Sequence, residues 1–341
     1  MIMWSRDKIL NFVFSFGAML VGVVALFVGS ISFEFKTNPQ FLSLPQSQVA
    51  QAQVGGDITP AILPKARPTV PLAKDNSFYN ATTSAVSALV VDDNSDTILF
   101  EKNKNEVRPL ASITKLMSVL VLLDLPMNLS STTVVLAEDV DSSSHHINAG
   151  EKYKLSDLFN IALVGSSNSA INVLVRASGY TMDEFVNLMN VKAKKLNLNS
   201  AQFVDPTGLD NRNMARTEDV ARLLKIALQQ EKITTALQTP EYYGNPIGQK
   251  PRRVWSTDWL LTHWIPSDFK KVQIAGKTGY IAESDYNFVV RLTDEQGHAI
   301  RVVVLGAASN ETRFTEARDL AKWTFEHYLW PDEAGYDALS D

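Results

Sequence analysis

Hydrophobic residues in this chain follow three regimes of spacing. Residues 9–33 form an apolar run without a charge, preceded by Arg6 and Lys8. As a helix this run measures about 37 Å, more than the ~30 Å hydrocarbon core of a bilayer, and predicts a tilted transmembrane anchor. The alternative is a cleaved leader, whose apolar segment is typically about 7–15 residues. The run is longer than that, and the nearest Ala-x-Ala, Ala50-Gln51-Ala52, lies well past its end. Basic residues cluster on the short stub 1–8, which places that stub in the cytoplasm and the rest of the chain outside the cytoplasmic membrane.

Residues 34–77 show no period. Pro39, Pro45, Pro60, Pro64, Pro68 and Pro71 interrupt Gln, Ser, Val and Ala, the composition of a semi-extended linker.

From residue 78 periodic elements appear. β-rich runs at 87–91 and 97–101 flank the turn residues Asp92-Asp93-Asn94-Ser95-Asp96 and predict a hairpin. An apolar helix runs through 116–123, a short strand occupies 131–136, and an apolar-periodic helix covers 154–164. Residues 181–196 place Phe185, Leu188, Met189 and Ala193 on one helical face. Residues 205–210 are dense in turn formers, and 217–229 and 233–237 read as helices. Strands follow at 272–275, 286–292 and 299–305, the last two joined by Asp294-Glu295-Gln296-Gly297. A closing amphipathic helix at 315–329 turns Ala317, Leu320, Ala321 and Phe325 inward. Strands at both ends with helices between predict a mixed α/β domain over 78–330, its antiparallel sheet assembled from both ends and a helical subdomain inserted, with a tail at 331–341.

Composition narrows the chemistry. The 341 residues are 45% hydrophobic with a formal net charge of −5 and no cysteine. No basic run argues for nucleic acid, and thiolate chemistry and disulfides are excluded. His145 and His146 lie in a Ser-rich polar stretch with no third ligand at a metal-binding spacing, so they read as a solvated loop and no metal is expected.

Three short motifs remain. Ser112 and Lys115 form Ser-x-x-Lys at the start of the apolar helix. Residues three apart share a helical face, so the amine can reach the hydroxyl. Serine is a poor nucleophile until a base takes its proton, and lysine becomes that base when desolvation lowers its pKa. The bland reading is a helix-start serine and a solvated lysine. Ser166 and Asn168 follow the helix at 154–164. Lys277, Thr278 and Gly279 place a cation, a hydroxyl and a Cβ-free position on a strand. Each motif alone is weak, but their order is a specific signature.

Here the chain resembles the penicilloyl-serine enzymes, the low-molecular-weight penicillin-binding proteins and serine β-lactamases, and within them the D-alanyl-D-alanine carboxypeptidase/endopeptidase family. The resemblance covers residues 79–330. It extends to Arg108-Pro109-Leu110-Ala111, Phe185-Val186-Asn187-Leu188-Met189-Asn190, Phe203-Val204-Asp205-Pro206-Thr207-Gly208-Leu209 and Thr217-Glu218-Asp219-Val220-Ala221. Two departures stand out: Ser284-Asp285 before Tyr286, where the family often has Ala-Gly, and Ser256-Thr257-Asp258 before Trp259, where it often has Asn-Thr-Asn before a Leu-Leu pair.

The resemblance implies a β-lactamase/transpeptidase-like fold and a membrane-anchored serine DD-peptidase acting on peptidoglycan stem peptides, with β-lactams as inhibitors and no cofactor. It makes Ser112 the nucleophile and Lys115 its base. Ser166 and Lys277 carry a proton to the leaving amine, and Asn168 orients the substrate amide and Lys115. Thr278 and Arg313 bind the terminal carboxylate. The N–H groups of Ser112 and Tyr280 form the oxyanion hole, with Gly279 admitting the substrate backbone. Carboxypeptidase activity ranks ahead of endopeptidase cleavage of cross-links. A serine β-lactamase, with Glu184 as its extra carboxylate, and a penicillin-sensing or wall-binding module without turnover rank below both.

Overall fold

A computed structural model describes residues 69–75, 83–142 and 146–340. The anchor at 9–33 and nearly all of the linker at 34–77 lie outside the described residues, as does His145. Among the described residues no helix is long and apolar enough to cross a membrane.

The central sheet has five antiparallel strands: β1 (Ser87–Asp92), β2 (Ile98–Lys102) and, from the far end of the chain, β5 (Ile274–Ile281), β6 (Asp285–Thr293) and β7 (Ala299–Ala307). Its order is β5-β6-β7-β1-β2, so β7 pairs with β1 across the whole intervening insertion. The β1–β2 hairpin from one end and the three-stranded meander β5–β6–β7 from the other are thereby zipped into one sheet, as the β-rich runs at both ends predicted.

Between them lie the helices α1 (Lys115–Asp124), α2 (Leu155–Val164), α3 (Asn168–Ala177), α4 (Met182–Lys195), α5 (Thr217–Leu228) and α6 (Glu231–Leu237), then a hairpin of β3 (Glu241–Gly244) and β4 (Arg252–Trp255). Helix α7 (Thr312–His327) covers the sheet, and a short helix, α8 (Tyr336–Ser340), follows it. Leu72–Ala73 pairs with Tyr328–Leu329 just beyond α7, tying the two ends of the domain together.

The sheet is covered on both faces, and its strand pleat explains which residues go where. Leu89, Val91, Val289, Val303 and Leu305 join the core of the inserted helices, while Ala88, Val90, Phe288, Val290, Val302 and Val304 join the core beneath α7. Successive side chains point to opposite faces, so strands buried on both sides read as continuous apolar runs. Helix α7 buries Phe314, Ala317, Leu320 and Ala321 against that second face.

Several boundaries differ from the sequence reading. The strand expected at 272–275 runs instead from Ile274 through the Lys-Thr-Gly motif to Ile281, and Val272 sits in a 3-10 turn, exposed. Lys277, Thr278 and Gly279, read as strand residues, are continuous with the apolar run before them, and the polar side chains at 277–278 serve the site rather than the core. Helix α3 and the β3–β4 hairpin were not anticipated. Helix α3 begins at once after α2, with only Gly165 to Ser167 between them, and the Ser167 hydroxyl caps it by accepting from the Ala170 N–H at 3.2 Å. Glu184 is exposed and closes a capping box with Thr181 at the start of α4.

Candidate active site

The site forms where α1, the α2–α3 junction and β5 converge. Ser112 lies on a 3-10 turn, Ala111–Thr114, that leads directly into α1. Ala111 before it has φ +48°, a left-handed conformation costly for a residue with a Cβ. The turn is held from three sides. Leu110 N–H donates to the Asn213 carbonyl at 2.8 Å, and the Asn287 amide donates to the Pro109 carbonyl at 2.9 Å. Gly208, at φ +88°, packs so tightly on Ala111 that any Cβ would overlap its carbonyl.

Lys115 is fully buried. Its Nζ reaches Ser112 Oγ at 2.7 Å, Asn168 Oδ1 at 2.6 Å and the Thr207 carbonyl at 2.7 Å. Burial drives its pKa down to about 7, against the opposing pull of Asp205 and Asp141. An ammonium would donate in all three directions. A neutral amine donates to Asn168 and Thr207 and keeps its lone pair for the Ser112 hydroxyl. The two oxygen acceptors thus aim the lone pair at the proton to be removed.

The second motif adopts a strained geometry as well. Ser166 has φ +56°, and Lys277 Nζ donates to its hydroxyl at 2.7 Å. Lys277 is buried, and its proton affinity is pushed well down by desolvation, then by the positive charges of Lys115 and Arg313. Thr278 is buried, and its hydroxyl lies 2.6 Å from that of Thr257. At Gly279 a Cβ would meet the Leu110 carbonyl at 2.5 Å and the Ser112 nitrogen at 3.3 Å. Edge strand β5 therefore passes directly against the nucleophile, and only glycine permits it. Tyr280 is half exposed and stacks on Tyr286 with ring centroids 4.5 Å apart.

Ser112, Lys115, Ser166, Asn168, Lys277, Thr278 and Gly279 come together as the motif order implied. Arg313 is buried, with Nη1 donating to the Gly279 carbonyl at 3.0 Å and the Asn287 carbonyl at 3.3 Å. Burial lowers its pKa to about 10. It braces β5 at the point where that strand meets the nucleophile.

Other contributors were not legible in the sequence. Asp205 organises the loop behind Lys115, accepting from the N–H groups of Thr207 at 2.7 Å, Gly208 at 2.8 Å and Asp210 at 2.9 Å. The turn composition of 205–210 signalled the loop, but not the carbonyl it presents. His146, read as solvated, is instead partly buried, with Nε2 3.1 Å from the Gly165 carbonyl at the α2–α3 junction. The two departures also find their places. Ser284 is buried in the β5–β6 turn, accepting from the Ile281 N–H at 3.1 Å. Asp258 Oδ1 accepts from the N–H groups of Leu260 at 2.9 Å and Leu261 at 3.2 Å. Its Oδ2 is buried without a partner. Among the described residues no cluster of potential metal ligands occurs.

This geometry is that of a serine activated by a desolvated lysine. The sequence of the D-alanyl-D-alanine carboxypeptidase family matches the chain over residues 74–309. The chain belongs to that family of serine peptidases. It is 29% identical over 240 residues to a D-alanyl-D-alanine endopeptidase of Pseudomonas aeruginosa, covering 70% of this chain and 76% of that one. It is 26% identical over 254 residues to a D-alanyl-D-alanine carboxypeptidase of Bacillus subtilis, covering 72% and 63%. Among solved structures, penicillin-binding protein D2 of Listeria monocytogenes in its ampicillin-bound form superposes with a TM-score of 0.62 at 25% identity, over 73% of this chain and 100% of that one.

Proposed function

We propose that this peptidase hydrolyses peptidoglycan stem peptides through an acyl-enzyme on Ser112, removing the terminal D-Ala as a carboxypeptidase. The observation that carries the reading is the triple coordination of buried Lys115 by Ser112, Asn168 and Thr207. Lys115 takes the Ser112 proton as Oγ attacks the scissile carbonyl carbon. The oxyanion is held by the N–H groups of Ser112 and Tyr280, a pair whose partial loss typically costs about 100- to 1000-fold. The C–N bond breaks as a proton passes through Ser166 and Lys277 to the departing amine. Water then attacks the ester and returns the proton to the site.

The leaving carboxylate sits against Lys277 and Thr278, and Arg313 adds positive charge behind the strand. The ampicillin-bound Listeria relative supports acylation of Ser112 by β-lactams as well. Cleavage of cross-links is the second reading, supported by the relatives named endopeptidases in Pseudomonas aeruginosa and Escherichia coli. Glu184 is spent on a helix cap, which leaves the β-lactamase reading without its extra carboxylate. Residues 9–33 anchor the chain in the cytoplasmic membrane with the catalytic domain outside, as their uninterrupted apolar length supports.

The deciding experiment incubates the full chain with purified muropeptides and reads products by mass spectrometry. Loss of one alanine from pentapeptide monomers establishes the carboxypeptidase. Conversion of cross-linked dimers to monomers establishes the endopeptidase. If neither changes while fluorescent penicillin still labels Ser112, the sensor reading replaces both.

A further inference from the structure

The segment leaving β4 carries an exposed aromatic surface that the reaction as described does not use. Trp255 is 41% exposed and Trp264 is 59% exposed, yet their rings are in contact, with centroids 6.4 Å apart. Scattered single apolar residues on a surface need no explanation, whereas contiguous ones mark a binding surface. Trp264 packs on Trp259 at 5.5 Å, and Trp259 stacks on Phe314, the neighbour of Arg313, at 5.6 Å. The Arg253 guanidinium lies 4.0 Å above the Trp255 ring, with its Nε held by Glu241 at 2.8 Å. The outer indoles are thus braced from behind.

The polarity of β5 assigns this ledge a side. Gly279 lies against Ser112, Lys277 and Thr278 precede it, and Tyr280 follows. With the oxyanion held at Tyr280 and the carboxylate at Thr278, the departing group occupies the side where Thr257 meets Thr278. Trp255 is two residues from Thr257, no more than about 7 Å along the chain. A departing alanine, a methyl and a carboxylate, ends before the ledge. A cross-linked substrate continues past it.

Resting on the peptidase function proposed above, we infer that Trp255 and Trp264 form a subsite for the leaving-side peptide strand of a cross-linked substrate. Flat, rigid indoles supply contact area at low entropic cost, and the aliphatic face of that peptide packs on them. The ledge adds contact that a cross-linked substrate uses and a terminal D-Ala does not reach, without touching the scissile bond.

The test compares the full-length chain with its Trp255→Ala/Trp264→Ala variant on D-Ala-cross-linked muropeptide dimers, on pentapeptide monomers and on fluorescent penicillin. Dimer kcat/KM falls about tenfold, while monomer hydrolysis and penicillin acylation stay within about twofold. Equal losses on all three, or none on dimers, overturn the subsite. So does a variant that loses only sedimentation with phosphatidylglycerol vesicles, which would make the ledge a lipid-facing patch. A binding arm separates this inference from the proposed function. Ser112→Ala protein binds dimer more tightly than monomer, read by quenching of tryptophan fluorescence, and the ledge substitutions abolish that preference. If the wild-type chain cleaves neither substrate, the proposed function fails, and the subsite stands or falls on that preference alone.

Discussion

Lys115 and Lys277 oppose each other across the active site: burial first, and then the positive charge of Lys115, depresses the proton affinity of Lys277. Both amines are buried, and each reaches one serine hydroxyl at 2.7 Å. Two buried cations this close cannot both hold a proton cheaply. Burial thus lowers the proton affinity of both amines, the one beside Ser112 and the one beside Ser166.

A pH dependence follows. Lys115 acts as base only when neutral, and burial places its pKa at about 7. A lowered lysine pKa means the active form accumulates as pH rises through that value. Penicillin acylation of Ser112 should climb about tenfold per pH unit below 7 and level off above it. A flat profile from pH 5 to 9 would remove Lys115 as the base.

Ser112→Ala should abolish both covalent penicillin labelling and muropeptide hydrolysis, by roughly a thousandfold or more. Gel fluorescence and mass spectrometry read the two. Retained covalent labelling would assign the nucleophile elsewhere.

Gly279→Ala should leave the fold intact but push β5 away from the Leu110–Ser112 turn, since the added methyl meets the Leu110 carbonyl at 2.5 Å. A displacement of about 1 Å at the reacting centre typically costs on the order of 100-fold. Acylation rates, with circular dichroism as the folding control, check it. An unimpaired variant would show that β5 need not approach so closely.

Burial raises the Asp258 carboxyl to about 6, against the opposing pull of the Leu261 and Leu260 N–H groups and then of the Arg313 and Lys277 charges. The carboxylate charge is present above that pH and lost below it. Asp258→Asn keeps an acceptor for Leu260 and Leu261 but removes the negative charge that favours protonated Lys277 and Arg313. KM for a pentapeptide should rise several-fold with kcat less affected. The wild-type rise in KM below pH 6 should vanish in the variant. Identical KM profiles for the two proteins would show that the carboxylate only caps its local turn.

The amino-acid sequence alone carried the mixed α/β class, the two terminal hairpins and the order of the three motifs. These rest on local rules: β-rich apolar runs at 87–91 and 299–305, helical period at 181–196, and a fixed three-residue spacing between Ser112 and Lys115. Only tertiary structure decided that Thr207 and Asn168 aim Lys115, that Asp258 lies near Lys277 and Arg313, and that Trp255 and Trp264 meet outside the Thr257–Thr278 contact. Most of those relationships join residues far apart in the chain, Lys115 with Thr207 across 92 positions, some through backbone carbonyls that every residue possesses. Local patterning has no term for such pairs, because burial and strand register select them only once the chain has closed around its core.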